Sequence, residues 1–322
     1  MNVCMNPLFT TSYVDPDLDG VACAIAYAEL LNATGVTATA CVMGHPTVEA
    51  EFALSTLGVA RPIQRESFLP IERVIILDAS EPIHFEGRLV PEQVIEVIDH
   101  RQVNEAHLFS NAKVQIEFVG AAATLVAERF LKQDHVPSVK SAQLLQAAII
   151  SNTQHFQANT TTDRDSAMMQ WLHEMAPLPD AFVQDMFAAK SDFTGEKLAH
   201  AMDIETAIFE MGDKRIGIVQ LEMIGSDALV RDRRNELLQI LESFRQQNNL
   251  DHIFLTILDI EAKLNRFVTV DRIMQSVLTE VLGVTFVENV GVRDGIIMRK
   301  EIVPLIKKSV VGPVTSFAND VT

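Results

Sequence analysis

Short apolar runs alternate with amphipathic stretches through the first half of the chain. Val36 to Val42, Val74 to Leu77 and Val94 to Ile98 read as strands, while Val21 to Leu31, Thr47 to Leu57 and Ala121 to Phe130 read as helices. This alternation predicts a doubly wound parallel sheet with helices on both faces, because parallel neighbours need a crossover that a helix supplies. Helical segments Ser141 to Ser151 and Asp163 to Met175 follow, the second opened by Thr161-Thr162-Asp163, a cap for the free N–H groups of a first turn. Pro177-Leu-Pro-Asp180 then breaks the pattern, and a further helical stretch runs to about Lys190.

The second half has a different texture. Glu205 to Met211 and Arg215 to Leu221 are strand-like runs around Gly212-Asp213, a dipeptide that suits a hairpin turn. The long amphipathic Asp227 to Asn248, strand-like Ile253 to Ile260, and helical Thr269 to Leu282 and Val303 to Val310 complete a smaller α/β domain with a mixed sheet. The division expected is residues 1–190, a linker at 191–196 and a second domain over 197–322, with Lys190 to Gly195 as hinge.

Composition narrows the class. At 322 residues and 48% hydrophobic content, two cores are affordable. A net charge of −17 argues against a long nucleic-acid partner or an anionic membrane surface, which clustered Lys and Arg would serve. Cys4, Cys23 and Cys41 lack CxxC spacing, so neither a disulfide framework nor a zinc knuckle is expected. No signal-peptide pattern opens the sequence and no long uninterrupted apolar run occurs, so the expectation is a cytoplasmic protein with no membrane association.

The chemistry gathers at the ends of the apolar runs. Tyr13-Val-Asp-Pro-Asp-Leu-Asp-Gly20 sets Asp15, Asp17 and Asp19 at alternate positions just before a helix. Val74 to Leu77 runs into Asp78, Val94 to Ile98 into Asp99-His100-Arg101, and Ala147 to Ile150 into Ser151-Asn152-Thr153. If the sheet is parallel, these ends meet at its carboxyl edge, where α/β proteins bind ligands. Carboxylates so close oppose joint ionisation, and a hard divalent cation removes that penalty. Most histidines are scattered without ligand spacing, but His155, three positions after Asn152, lies close enough to line such a site.

These residues resemble the DHH phosphoesterase superfamily, through DPDLD, a downstream Asp at a strand end and Asp99-His100. Gly44-His-Pro-Thr-Val-Glu49, Gly120-Ala-Ala-Ala-Thr124, Thr160-Thr-Thr-Asp-Arg-Asp165, Gly217-Ile-Val-Gln-Leu-Glu222 and Arg299-Lys300-Glu-Ile-Val-Pro304 are similar to family II, manganese-dependent inorganic pyrophosphatases, which end in a DHHA2-type domain. The resemblance implies an active site in a cleft between two domains, with Asp17, Asp19, Asp78 and His100 as metal ligands and Asp99 steering the His100 imidazole. It implies one or two Mn²⁺ (or Mg²⁺ or Co²⁺) per site and hydrolysis of a phosphoanhydride by metal-activated water. The catalytic set expected is Asp17, Asp78, Asp99 and Arg101, and the substrate-binding set expected is Arg101, Arg299, Lys300 and His155.

Three departures from the pattern matter. Tyr13 stands where the pyrophosphatases have a ligand His, Asn152 where they have a late ligand Asp, and Arg101 where DHH has its second His. Asn offers a neutral carbonyl oxygen, so Asn152 is a weaker ligand, and Asp15, where the family has Asn, is a candidate to compensate. Arg101 suits bidentate phosphate recognition, and the resulting DHR motif is like that of prune-type phosphoesterases. Met298 falls where the family's substrate-binding Arg stands and Thr206 near another phosphate-contacting Lys, so the second domain is less basic. The alternatives are therefore a phosphodiesterase on nucleotides or short oligonucleotides, of exopolyphosphatase or prune type, and a degenerate relative that binds a phosphorylated ligand without turnover. A homodimer is the default assembly.

Overall fold

The computed structural model describes residues 7–69, 72–85, 87–101 and 104–311. The chain forms two compact units, Met1–Ala189 and Lys190–Thr322. The first is built on β1 (Leu8–Thr11), β2 (Ala38–Val42), β3 (Ile63–Gln64), β4 (Arg73–Leu77), β5 (Val94–Asp99) and β6 (Lys113–Ile116), all parallel, in the order β3-β2-β1-β4-β5-β6. The strand order reverses between β1 and β4, the position where open α/β sheets bind ligands.

Helix α1 (Leu18–Ala33) follows β1 and is buried on most sides, and α2 (Val48–Thr56) follows β2. After β6 come α3 (Ala122–Lys132), α4 (Val139–Asn152), α5 (Asp163–Met175) and α6 (Phe182–Lys190). Helices α3 and α4 pack against α1, and α5 against α4. The β4-to-β5 and β5-to-β6 crossovers carry short 3-10 turns at 82–85, 91–93 and 106–108. Pro82, Gly87 and Pro91 break helix formation there. That face is closed by aromatic rings, with Phe68, Phe85 and Phe109 packed on Phe9, Val74, Ile76 and Val97.

The second unit carries α7 (Lys197–Ile204), β7 (Thr206–Met211), β8 (Lys214–Met223), α8 (Ser226–Gln247), β9 (His252–Asp259) and β10 (Leu264–Val268). It ends with α9 (Arg272–Leu282), β11 (Thr285–Val287), β12 (Val290–Asp294) and α10 (Arg299–Val311). Its sheet, ordered β11-β12-β10-β9-β8-β7, is mixed, since only β8 and β9 pair parallel. Val219, Leu221, Leu255 and Ile257 face a core shared with α7 and α8, while Ile216, Ile218 and Phe254 face one shared with α9 and α10. Burial on both faces explains why β8 and β9 read as unbroken apolar runs. The segment expected to be the linker is fastened to this unit: Arg233 donates to the Phe193 and Gly195 carbonyls, and Ser191 Oγ accepts the Ile224 N–H at 2.9 Å.

Candidate metal centre

The loop after β1 enters α1 through Asp17, whose Oδ1 accepts the Gly20 N–H at 3.0 Å as an N-cap. Two residues on, Asp19 is buried at the start of α1. Its Oδ2 and Oδ1 accept the Ala122 and Ala123 N–H groups at 2.7 and 2.8 Å, so the free amides of the first turn of α3 hold it. Asn152, the last residue of α4, donates its side-chain amide to the same Oδ2. The sheet's carboxyl edge thus gathers helix ends around a single carboxylate.

Asp78 leaves β4 in the left-handed region (φ 56), and its N–H continues the ladder to the Ile98 carbonyl at 2.8 Å. It is 1% exposed, and neither carboxylate oxygen has a hydrogen-bond partner. Burying an ionised carboxylate that way is costly unless a cation is nearby. His100 Nε2 lies 3.4 Å from Asp78 Oδ1, and Nδ1 is 2.9 Å from the Val119 carbonyl, which fixes the ring. Ligand atoms of Asp19, Asp78 and His100 all lie within 4.8 Å of one another. Two hard carboxylates and an imidazole, one carboxylate otherwise unpartnered, suit Mn²⁺ or Mg²⁺.

The electrostatics agree. Burial, reinforced by the Asp78 charge, pushes the Asp19 carboxyl up to about 7. Asp17 is raised well above the usual carboxylate range by burial and by the charges of Asp78, Asp19 and Glu49. Burial favours neutral His100, but its contact with Asp78 overrides that and raises it to about 9. These protons compensate a surplus of negative charge that a divalent cation would otherwise neutralise.

Several expected residues take other positions. Asp99 does not steer the imidazole, which the Val119 carbonyl orients; its oxygens accept the Ser80 hydroxyl and, at 2.7 Å, the backbone N–H of His100. Asp15 is exposed and does not compensate for lost ligands, because its Oδ1 accepts the His45 N–H at 2.6 Å. Gly44 beside it permits this, since a Cβ there would lie 2.1 Å from that oxygen. His155 is exposed, its ring tilted by 50° against that of Phe156 at 6.3 Å. Arg299 is spent on structure: its guanidinium donates to the Glu205 and Ile218 carbonyls, and burial lowers its pKa. Lys300 is exposed in the first turn of α10.

Tyr13 and Arg101 lie beside the Asp19, Asp78 and His100 cluster. The Tyr13 hydroxyl accepts the Asp17 N–H at 3.2 Å, and burial together with the Asp17 and Asp78 charges raises its pKa well above 10.0, so it stays a neutral phenol. The Arg101 guanidinium lies over its ring at 5.4 Å, 3.9 Å from Asp78 Oδ2 and 4.0 Å from Asp99 Oδ1. Residues that pattern reading passed over include Ser80, Glu49, which accepts the Ser151 hydroxyl at 2.7 Å, and the Val119 carbonyl. A backbone carbonyl leaves no trace in residue identity. Asp165, by contrast, announced itself within a matching stretch: it accepts from Gly120 N, Thr124 Oγ1 and both donors of Thr162, tying α5 to the start of α3.

Fold and centre together define a two-unit α/β protein with an Asp and His cation site at the switch point of a parallel sheet. Residues 184–309 match the family described as DHHA2 domain. The chain is similar along nearly its whole length to a "probable manganese-dependent inorganic pyrophosphatase" of Clostridium acetobutylicum, 26% identical over 96% of this chain and 97% of that one. A protein of the same description from Deinococcus radiodurans is 27% identical over 92% and 96%. Among solved structures, a Methanococcus jannaschii protein assigned to the family II inorganic pyrophosphatases superposes with a TM-score of 0.73, 25% identity, and coverage of 95% of this chain and 100% of that one. No helix among the described residues is long and apolar enough to cross a membrane.

Proposed function

We propose that this protein is a divalent-metal-dependent phosphohydrolase that cleaves the phosphoanhydride of inorganic pyrophosphate, with Mn²⁺ as its preferred cation. The observation that carries the reading is Asp78, a buried carboxylate with no hydrogen-bond partner, facing His100 at 3.4 Å and Asp19 within 4.8 Å. A bound cation would lower the pKa of a water molecule and polarise a phosphoryl oxygen. Asp19, Asp78 and His100 would hold that cation, and Asp17 would accept the water's proton. Arg101 neutralises the transferring phosphoryl group, a task of charge and position. Asp99 and Ser80 keep the backbone of His100 in place. The relatives named for manganese-dependent pyrophosphatase activity support the substrate.

Phosphate release from pyrophosphate by the metal-stripped chain, with Mn²⁺, Mg²⁺ or Co²⁺ added back, tests this directly. Turnover with Mn²⁺ is expected; absence of turnover with every ion, together with no bound metal, would refute it. One feature favours a second reading, a phosphodiesterase on short nucleotides. Beside Arg101 opens a concavity of about 570 Å³, walled partly by Val114 and Phe118, 44% and 48% exposed, which offers a base an apolar surface. Dinucleotide cleavage faster than pyrophosphate cleavage in the same assay would select it. The reading also takes the enzyme to be cytoplasmic and a homodimer, and sedimentation of the purified chain tests the second of these.

A further inference from the structure

We propose that Arg101 takes the place of a second metal ion, so that this centre holds one divalent cation between Asp19, Asp78 and His100 with a guanidinium as its fixed second positive charge. The inference rests on the metal-dependent reading above and specifies its stoichiometry. The two oxygens of Asp78 have different neighbours: Oδ1 faces His100 Nε2 at 3.4 Å, whereas Oδ2 faces Arg101 Nη2 at 3.9 Å. In two-metal hydrolases the ions sit about 3.5–4 Å apart. Here the Oδ2 side of Asp78 is already attended by a cation that also reaches Asp99 at 4.0 Å.

The residues around Arg101 fit a guanidinium better than an ion. Tyr13 turns its hydroxyl to the Asp17 N–H at 3.2 Å and gives its ring to Arg101 at 5.4 Å, so it serves as a π-surface for a cation and contributes no ligand atom. Asp17 commits Oδ1 to the Gly20 amide at 3.0 Å. A second divalent ion there would have to displace the guanidinium or sit against its like charge. Asn152 completes the picture on the other side, donating to Asp19 Oδ2 where a carboxylate would have added ligand charge. Tyr13 and Arg101 thus act as a stacked pair: the ring replaces an imidazole ligand and the guanidinium replaces the ion that ligand would hold.

Metal stoichiometry and spin coupling test the proposal on the full chain. After stripping and dialysis against excess MnCl₂, one manganese per chain and an uncoupled single-ion electron paramagnetic resonance spectrum are expected. Two manganese per chain with an exchange-coupled spectrum would overturn it while leaving the hydrolase reading intact. No bound manganese and no hydrolysis would overturn both. The double variant Tyr13→His with Arg101→His, which exchanges phenol and guanidinium for imidazoles, is expected to gain a second manganese and a coupled spectrum. A folded double variant that still binds one ion would show that this pair does not set the count; should it fail to fold, the wild-type spectrum alone decides.

Discussion

Asp78 and Arg299 show how far residue identity can mislead about role. Asp78 is a short carboxylate at a strand end, yet it is buried with neither oxygen accepting a hydrogen bond. Asp78→Asn keeps the shape and removes the charge, so manganese affinity should fall by more than the roughly 10- to 100-fold that outer-shell changes cost, with hydrolysis abolished; titration calorimetry reads the first and phosphate release the second. The protons around it give a pH signature. His100 is raised from 6.5 to about 9 and Asp19 from 3.8 to about 7, so without metal the folded chain binds more protons than the unfolded one through the window from about pH 4 to 9. Stability of the metal-free protein therefore falls as pH rises across that window. Manganese must displace those protons, so its affinity climbs with pH, and the gap between metal-free and manganese-loaded melting temperatures should widen from about pH 6 to 9; a gap that narrows would contradict the assignment of these ligands. Arg299 looked like a phosphate ligand because it lies in a matching motif, but its guanidinium closes two backbone carbonyls. Arg299→Ala should cost about 2 kcal/mol of stability in urea unfolding and leave the Michaelis constant for pyrophosphate unchanged.

At the scale of elements, the legible parts were those with strong periodicity or a strand end that carries charge. The α5 boundaries and the β7 and β8 hairpin around Gly212-Asp213 follow from capping and turn chemistry. β10, β11 and β12 escaped notice because they are short, mix polar with apolar positions, and owe their pairing to neighbours remote in sequence. α10 begins at Arg299, before the stretch that read as helical, and runs through Pro304, its sixth residue, although a proline more often marks the first turn of a helix. At the candidate site, the strand-end rule named Asp19, Asp78 and His100, whose ligand atoms lie within 4.8 Å of one another, but nothing in residue order could reveal that α3 presents its first amides to Asp19. That arrangement depends on Asp165, fully buried, which gathers Gly120, Thr124 and Thr162. Gly120 is obligatory there, since a Cβ would lie 2.6 Å from Thr153 Cγ2. Asp165→Ala would strand several buried donors, so a loss of about 3 kcal/mol or more is expected. Manganese binding should weaken with it although Asp165 touches no ligand atom. Asp165→Asn, which keeps an acceptor oxygen, should recover part of both; stability loss with unchanged manganese affinity would show that α3 does not depend on this hub for its position.

For the whole molecule, the division into two units makes metal binding a local event with a readable thermal consequence. Every residue expected to hold the cation lies in the first unit, Met1–Ala189, whose core of Phe9, Phe68, Val74, Ile76, Phe85, Val97 and Phe109 is built without the second. The second has its own two cores, one on each face of its mixed sheet. Units with separate cores can melt separately, so scanning calorimetry should resolve two transitions. A ligand that binds only the folded form stabilises it by about 2.7 kcal/mol at 100 times its dissociation constant. For a domain of this size each kcal/mol moves the midpoint by roughly 2–4 °C. Saturating manganese should therefore raise one transition by about 5–10 °C and leave the other where it was. Asp78→Asn should remove that shift without moving the second transition. Were manganese to raise both transitions together, the ligand set would have to extend beyond the first unit; were it to raise only the transition insensitive to Asp78→Asn, the cation site would lie elsewhere.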